Sequence, residues 1–411
     1  MLQSLRFVPL FAFGLLLGCL EPDAEVFGEP YTVTGPNGPA PDADVVQCTS
    51  SKGSSCPPPR ARIWMPDWSV SYVAARGTKA AFIARPVAPS EPNGLASPMY
   101  VGKLNLGTGQ LEWVTRLGDD LDDVATVYAI AMTPSGHVIV VAQGYGAQYL
   151  GDGGGQYDGF LISLHSENGQ TNFARRFESW DTPPLPNERP RFVGVDLIID
   201  DDSIRACVNF QQLNAQKQDD QAAYLFSFAY DGTQRYRERL PDIQTNSYWW
   251  MRPSSDGSSW VLGYPYSMAH YSKEAKLLDS FDLPMVDPFT IRGFLPVGST
   301  SLFVNFMDNS DINTVQRYQG GGMPMQVASF LRTDGYGAGT FMQNVSLTQS
   351  YVYEMGNFIT SHRLRTIDTN GELGPTTTVD GVGYPFVILE YGIGVFVREA
   401  HPGSEWIVQA L

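Results

Sequence analysis

The sequence predicts an all-β chain assembled from one small antiparallel sheet written many times over. Three observations carry this. From Arg62 onward, short runs of β-branched and aromatic residues follow one another, and no stretch sustains the 3.6-residue period of a helix. Glycine (41 residues) and proline (29) punctuate these runs at turns, and aromatic residues make up 12% of the chain. The runs also recur. Copies begin at Tyr100, Phe160, Tyr224, His270 and near Val315 and Arg363, with the last four spaced by about 46, 45 and 48 residues.

The clearest copy spans Tyr100 to Gly146. Two runs meet at Gly107-Thr108-Gly109 and two more at Pro134-Ser135-Gly136, so the stretch reads as one four-stranded sheet written as two hairpins. A period of about 40–50 residues with four strands per unit is the pattern of a β-propeller. The earlier copies are stretched by insertions near Gly151 to Asp158, Pro183 to Pro190 and Gln211 to Asp220. Six full units and one composite unit make about seven blades. The chain ends in Glu405-Trp406-Ile407-Val408-Gln409-Ala410-Leu411, a run with no partner after it. The expected closure therefore joins the C-terminal strand to the first blade, which leaves no open edge in the ring.

Residues 1–18 read as a targeting segment rather than structure. Arg6 is a sparse positive region, Phe7 to Leu17 is apolar, and the segment ends in Leu16-Leu17-Gly18-Cys19. This resembles the lipobox of bacterial lipoproteins. The resemblance implies diacylation of the Cys19 thiol, cleavage before it and acylation of the new amine. Two or more acyl chains make anchoring stable where one would be marginal. Leu20, not Asp, follows the cysteine, which in such families favours the outer membrane, with the body periplasmic or surface-exposed. The competing reading is an ordinary secretory signal with an incidental cysteine.

Residues 19–61 form a Pro/Gly-rich tether, and 62–411 form the propeller. Within the tether Cys48 and Cys56 flank a small polar loop, Thr49 to Ser55. In an exported protein this pair is expected to form a local disulfide worth about 2–3 kcal/mol. Metal binding is the rival, and no second Cys or His pair stands nearby. Cys207 lies in an alternating run and is expected as a small buried hydrophobe.

The repeat itself resembles the seven-bladed β-propeller repeat family of exported bacterial proteins. Tyr100-Val101-Gly102-Lys103-Leu104 matches the opening of its motif. Trp113, Gly118, Asp119 and Asp120 match the middle, and Ala129-Ile130-Ala131 with Gly136-His137-Val138-Ile139-Val140 match the end. Asp158-Gly159-Phe160-Leu161 opens the next copy in the same style. The resemblance is good for about 60 residues and fades afterwards. It implies fold and export and carries no reaction. At the level of fold and address alone, the chain is also similar to outer-membrane lipoproteins that serve as accessory factors in barrel assembly.

A formal net charge of −16 and a pI near 4.7 disfavour nucleic acid as a partner. Candidate chemistry is sparse. Asp152 and Asp158 in Gly151 to Asp158 offer oxygen ligands for calcium, but two carboxylates are few and the order departs from calcium repeats, so an inter-blade loop is the plainer reading. Asp308 to Asn313 is a similar case. Ser254 to Trp260 looks like the Asp-box of sialidase-type propellers but lacks the residue between Asp and Gly, and falls where a turn belongs. The five histidines show no metal-ligand spacing, and no Gly-x-Ser-x-Gly elbow is present. Asp119, Asp120, Asp122 and Asp123 read as a solvated loop face, and Tyr248-Trp249-Trp250 as inter-blade packing more than as a sugar platform. The expectation is a non-catalytic, lipid-anchored binding or scaffold module with a protein partner in the envelope and no cofactor. The alternative is a propeller enzyme with its site in the central channel, a sugar or lactone hydrolase or a quinoprotein-like dehydrogenase.

Overall fold

Twenty-eight strands pair into seven four-stranded antiparallel sheets in the computed structural model. It describes residues 60–66, 68–86, 99–106, 108–117, 126–144, 158–178, 191–213, 219–240, 247–264, 267–283, 290–307, 312–319, 325–331, 341–344, 349–355, 361–380, 386–389, 393–399 and 403–410, together with a two-residue ladder between Thr34–Gly35 and Gly38–Pro39. Each sheet is one blade of a β-propeller.

Blade 1 comprises Trp68–Arg76, Lys79–Pro86, Met99–Asn105 and Gln110–Leu117, from the axis outward. Blade 2 comprises Thr126–Met132, Val138–Gly144, Asp158–Leu164 and Thr171–Arg176. Blade 3 comprises Arg191–Ile199, Ile204–Leu213, Asp219–Phe228 and Gln234–Arg239. Blade 4 comprises Ser247–Pro253, Ser259–Tyr264, Ser267–Tyr271 and Leu277–Asp282. Blades 5 and 6 repeat the order from Thr290–Val297 to Met325–Leu331 and from Phe341–Asn344 to Leu373–Asp380. Blade 7 takes Phe386–Leu389, Ile393–Glu399 and Gly403–Ala410 from the C-terminus and Arg60–Pro66, its outermost strand, from the N-terminus.

This arrangement corrects the sequence reading in phase. Tyr100, Phe160, Tyr224, His270, Val315 and Arg363 all lie on third strands. The stretch from Tyr100 to Gly146 is therefore not one sheet. Its first hairpin is the outer half of blade 1 and its second is the inner half of blade 2. Turn chemistry marks hairpins but not which hairpins share a sheet, so a repeat can be cut two strands out of step. The same offset misplaced the composite sheet. The C-terminal strand pairs within the last blade, where Arg60–Pro66 covers it with Ile63 opposite Trp406. It still reaches the first blade. Ser404 Oγ accepts from the Val70 N–H (3.1 Å) and donates to the Trp68 carbonyl (2.8 Å).

The core is a chain of clusters between blades, because each sheet buries both faces against its neighbours. In Val138–Gly144, Val138, Val140 and Ala142 pack toward blade 1, while Ile139 and Val141 pack toward blade 3. That is why middle strands read as continuous apolar runs while the outermost ones read as polar. Blades 7 and 1 share a cluster of Val395, Val397 and Trp406 with Phe82 and Leu104, and the Phe82 and Trp406 rings meet edge to face at 5.5 Å.

Alternating strand direction sorts the connections by end. Turns between first and second and between third and fourth strands all lie at one end of the ring, here the turn end, and hold two to six residues. Connections between second and third strands and between blades lie at the loop end and hold one to fourteen. Near the loop end the innermost strands of blades 1 to 5 each carry a bulge, at Ser71, Tyr128, Val193, Trp249 and Arg292. Backbone groups beside these bulges are taken up across the junctions. The Val70 N–H bonds Ser404, and the Phe192 carbonyl accepts from Gln143 Nε2 at 2.9 Å.

Candidate functional site

The two ends of the ring differ in kind. All three insertions singled out in the sequence belong to the loop end. The third is partly strand, since Gln211–Leu213 and Asp219–Asp220 extend the blade 3 ladder and leave only 214–218 between them. The chain enters the ring at the opposite end. Arg60 pairs with Gln409 at the turn end and Pro66 with Gly403 at the loop end, so the segment before Arg60 leaves from the turn end.

The turn end is closed by side chains that reach from one blade to the next. Trp113, on the outer strand of blade 1, donates from Nε1 to the Ser166 carbonyl in the blade 2 turn (3.1 Å), and Lys103 Nζ donates to the same oxygen (2.6 Å). The indole lies over Gly169, whose φ of +71° and lack of a Cβ both suit the site; a Cβ there would stand 2.5 Å from the ring. Thr115 Oγ1 bonds the Gly169 carbonyl at 3.0 Å. Blade 2 repeats the device on blade 3, with Phe173 under Gly232 and Arg175 Nε on its carbonyl at 2.9 Å. Blade 3 keeps an aromatic, and Tyr236 Oη donates to the Lys273 carbonyl of blade 4 (2.8 Å).

Charge contributes at the junction of blades 3 and 4. Arg205 is fully buried, with its guanidinium on both Asp200 oxygens (2.5 and 2.9 Å) and on Ser259 Oγ of blade 4 (3.1 Å). Asp196 accepts from the Met251 N–H (2.7 Å) and from Arg252 (2.9 Å). At the surface Asp202 binds Arg235 and Lys273, each at 2.8 Å, which holds its carboxyl down at about 2. None of these residues stood out in the sequence, because partners up to 71 positions apart meet only once the blades stack.

Ser258, His270 and Asp256 superficially resemble a nucleophilic triad. Ser258 Oγ lies 2.6 Å from His270 Nε2 and 2.5 Å from Asp256 Oδ1. The order is wrong for activation. Asp256 holds the serine, not the imidazole, so the hydroxyl proton goes to the carboxylate and the serine accepts from the ring. Asp256 also accepts from the Ser258 N–H, and Gly257 has a φ of +81°. The arrangement is a tight turn, as its sequence position implied. His270 stacks on Trp260 with ring centroids 4.3 Å apart, and burial lowers its pKa.

Asp158, a calcium candidate, opens the third strand of blade 2 and forms an ion pair with Arg176 at 3.3 Å. That engagement weakens it as a metal ligand. Asp152, Cys19, Cys48 and Cys56 lie outside the described residues, as do Asp119, Asp120, Asp122, Asp123 and the Asp308 to Asp311 run. Cys207 is buried between blades 3 and 4 and free, and burial pushes its thiol pKa up strongly, with Asp196 adding to the shift. Trp250 packs against the cluster between blades 4 and 5, in keeping with the packing reading of that aromatic run. Among the described residues no three His, Cys, Asp or Glu side chains are grouped to hold a metal, and no helix is long and apolar enough to cross a membrane. Two histidines that the sequence left apart do meet. His137 and His165 flank the paired second and third strands of blade 2, with ring centroids 5.3 Å apart.

Solved propellers share this fold. The Dos1 propeller superposes with a TM-score of 0.50 at 8% identity, over 85% of this chain and 93% of that one. Polysaccharide lyase Uly1 gives 0.51 at 8%, over 83% and 89%. Puromycin hydrolase gives 0.52 at 14% over 83% of this chain, which spans about half (51%) of that enzyme. At such identities the likeness is one of fold. No protein-family model and no curated protein matches the sequence. A hydrolase, a lyase and the Dos1 propeller thus share this fold, and function must be argued from residues.

Proposed function

We propose that the protein is a lipid-anchored, non-catalytic propeller that presents its loop end to a protein partner in the bacterial envelope. One observation carries the reading: the chain segment bearing Cys19 leaves from the turn end, while the insertions gather at the other. About 40 residues separate Cys19 from Arg60. Anchored by acylated Cys19, the ring stands off the membrane with its latched face inward and its insertions outward. The turn end is committed to side-chain bonds between blades, which favours it as the structural face. The acidic surface fits a protein partner better than an anionic membrane or a nucleic acid.

Two measurements test the reading. Cys19→Ala is expected to move the protein from the membrane to the soluble fraction; retention in the membrane counts against the anchor. Photo-crosslinking residues introduced at Gln211 on the loop end and at Asn370 on the turn end are then compared in intact cells. Crosslinks to one defined protein from the loop end alone support the assignment. Crosslinks from Asn370 alone, or from neither position, overturn it.

A further inference from the structure

We propose that the junction of blades 1 and 2 is an acid-labile latch, in which protonation of the His137–His165 pair beside the buried Lys103 ammonium loosens the grip of blade 1 on the blade 2 turn while the ring stays folded.

Val138 and Leu164 are cross-strand partners, so His137 and His165, one step beyond each, face one another at the turn end. Their rings are 5.3 Å apart and tilted by 51°. Lys103 reaches in from blade 1, 5% exposed, to bond the Ser166 carbonyl one residue beyond His165. A Cβ on Gly136, next to His137, would lie 3.5 Å from the Lys103 ammonium. The latch therefore holds one fixed cation and two imidazoles, side chains that gain a proton as the medium turns acid.

The remaining charges do not neutralise that gain. Glu112 lies 3.6 Å from Lys103 but is in direct contact with Lys79, so it is shared between two ammonium groups. Glu167, exposed in the turn, raises the Lys103 pKa only as the third-ranked influence, behind burial and Lys79, which lower it. Around His137, burial first, then His165 and Lys103, disfavour the charged imidazole; a bond to the Leu164 backbone opposes them. The sign follows. A histidine held below its ordinary pKa of 6.5 leaves the folded state fully stable above that value and weakens it as pH falls below 6.5 toward the folded pKa. Because the charge appears where Trp113, Lys103 and Thr115 grip the turn, the weakening is local.

Hydrogen exchange by mass spectrometry on the full chain, at pH 7.5 and 5.5 and corrected for intrinsic rates, tests this. Peptides covering 99–117 and 158–176 are expected to exchange roughly threefold faster at the lower pH, while 204–228 of blade 3 stays unchanged. The double variant His137→Gln, His165→Gln removes the difference. Lys103→Met reduces it, by deleting the fixed charge. His270→Gln leaves it intact, because that imidazole lies in blade 4 against Ser258 and Trp260. Equal protection at both pH values, or the same loosening in the double variant as in the parent, overturns the proposal. If Lys103→Met does not fold, the comparison of the parent with the double histidine variant still decides it.

Discussion

The junction between blades 1 and 2 and the junction between blades 4 and 5 are built from the same register positions with different residues. Four residues after each third-turn glycine the outer strand carries an inter-blade side chain. Trp113 stands four after Gly109, Phe173 four after Gly169 and Tyr236 four after Gly232. Each aromatic engages the turn of the next blade. In blade 4 the turn glycine has become Ala275, which keeps the left-handed φ of 63°, and the residue four on is Asp279. The ring on that strand stands two residues further on, where Phe281 stacks on Tyr318 of blade 5 with centroids 5.4 Å apart. Leu277 and Leu278 on the same strand, and Met325 on the outer strand of blade 5, are the exposed large hydrophobics among the described residues. A latch is thus an aromatic plus a glycine, and the outer strand of blade 4 lacks the aromatic at that position.

Breaking the best latch should have the largest effect. Trp113→Ala removes a buried indole and leaves the Ser166 carbonyl to Lys103 alone. It is expected to cost about 3–5 kcal/mol in chemical denaturation. Tyr236→Phe, which loses only the hydroxyl bond to Lys273, should cost about 0.5–1.5 kcal/mol. Asp279→Ala should lie within about 0.5 kcal/mol of the parent. Equal costs at Trp113 and Asp279 would remove the distinction between the junctions.

The same contrast explains what the sequence could and could not disclose. Strand runs, turn glycines and the repeat period survive as local patterns, so the all-β class and the blade rhythm were legible from residues alone. The motif faded where the latch fades, since Trp113 and Gly169 are recognisable only while they do the same work in each copy. The phase was not legible. Nothing local to Gly107 or Pro134 says that the hairpins around them belong to different sheets. The Asp200–Arg205, Asp196–Arg252 and His137–His165 groupings were hidden for a related reason, being products of stacking and not of spacing. The loop-end insertions were visible by length, but that they share one end, opposite the entry of Arg60, required strand directions.

Glycine exchange between the junctions sharpens the comparison further. Gly169→Ala places a methyl where φ is +71° and where Trp113 and Thr115 already stand within 2.5 Å of the added carbon. A cost of roughly 2–4 kcal/mol is expected, from left-handed strain and overpacking together. Ala275→Gly is the reverse change, at the blade 4 turn that receives Tyr236 from blade 3. It relieves strain at φ 63° but gives up a buried methyl and adds freedom to the unfolded chain. These contributions nearly cancel, so its stability should stay within about 0.5 kcal/mol of the parent. Urea midpoints of the two variants, measured side by side, check the asymmetry; a large gain from Ala275→Gly would mean that the fourth turn is strained rather than relaxed.

The smallest expected effect separates surface charge from packing at the junction of blades 3 and 4. Asp202 is exposed, yet hydrogen bonds first from Lys273 and then from Arg235 hold its pKa at about 2, below the usual 3.8. A carboxyl depressed in the folded state contributes stability above 3.8 that is lost as pH falls toward 2. The pair of bonds ties the blade 3 turn, through Arg235 on its own outer strand, to Lys273 in blade 4. Solvent screens both, so the contribution is modest and should shrink with salt. Asp202→Asn is therefore expected to lower the thermal midpoint slightly at pH 7 and low ionic strength, with the difference shrinking below pH 3.8 and vanishing only below pH 2, or in molar salt. A difference that persists under both conditions would show that Asp202 acts through the geometry of the turn, and that the third junction, like the first, is held by shape more than by charge.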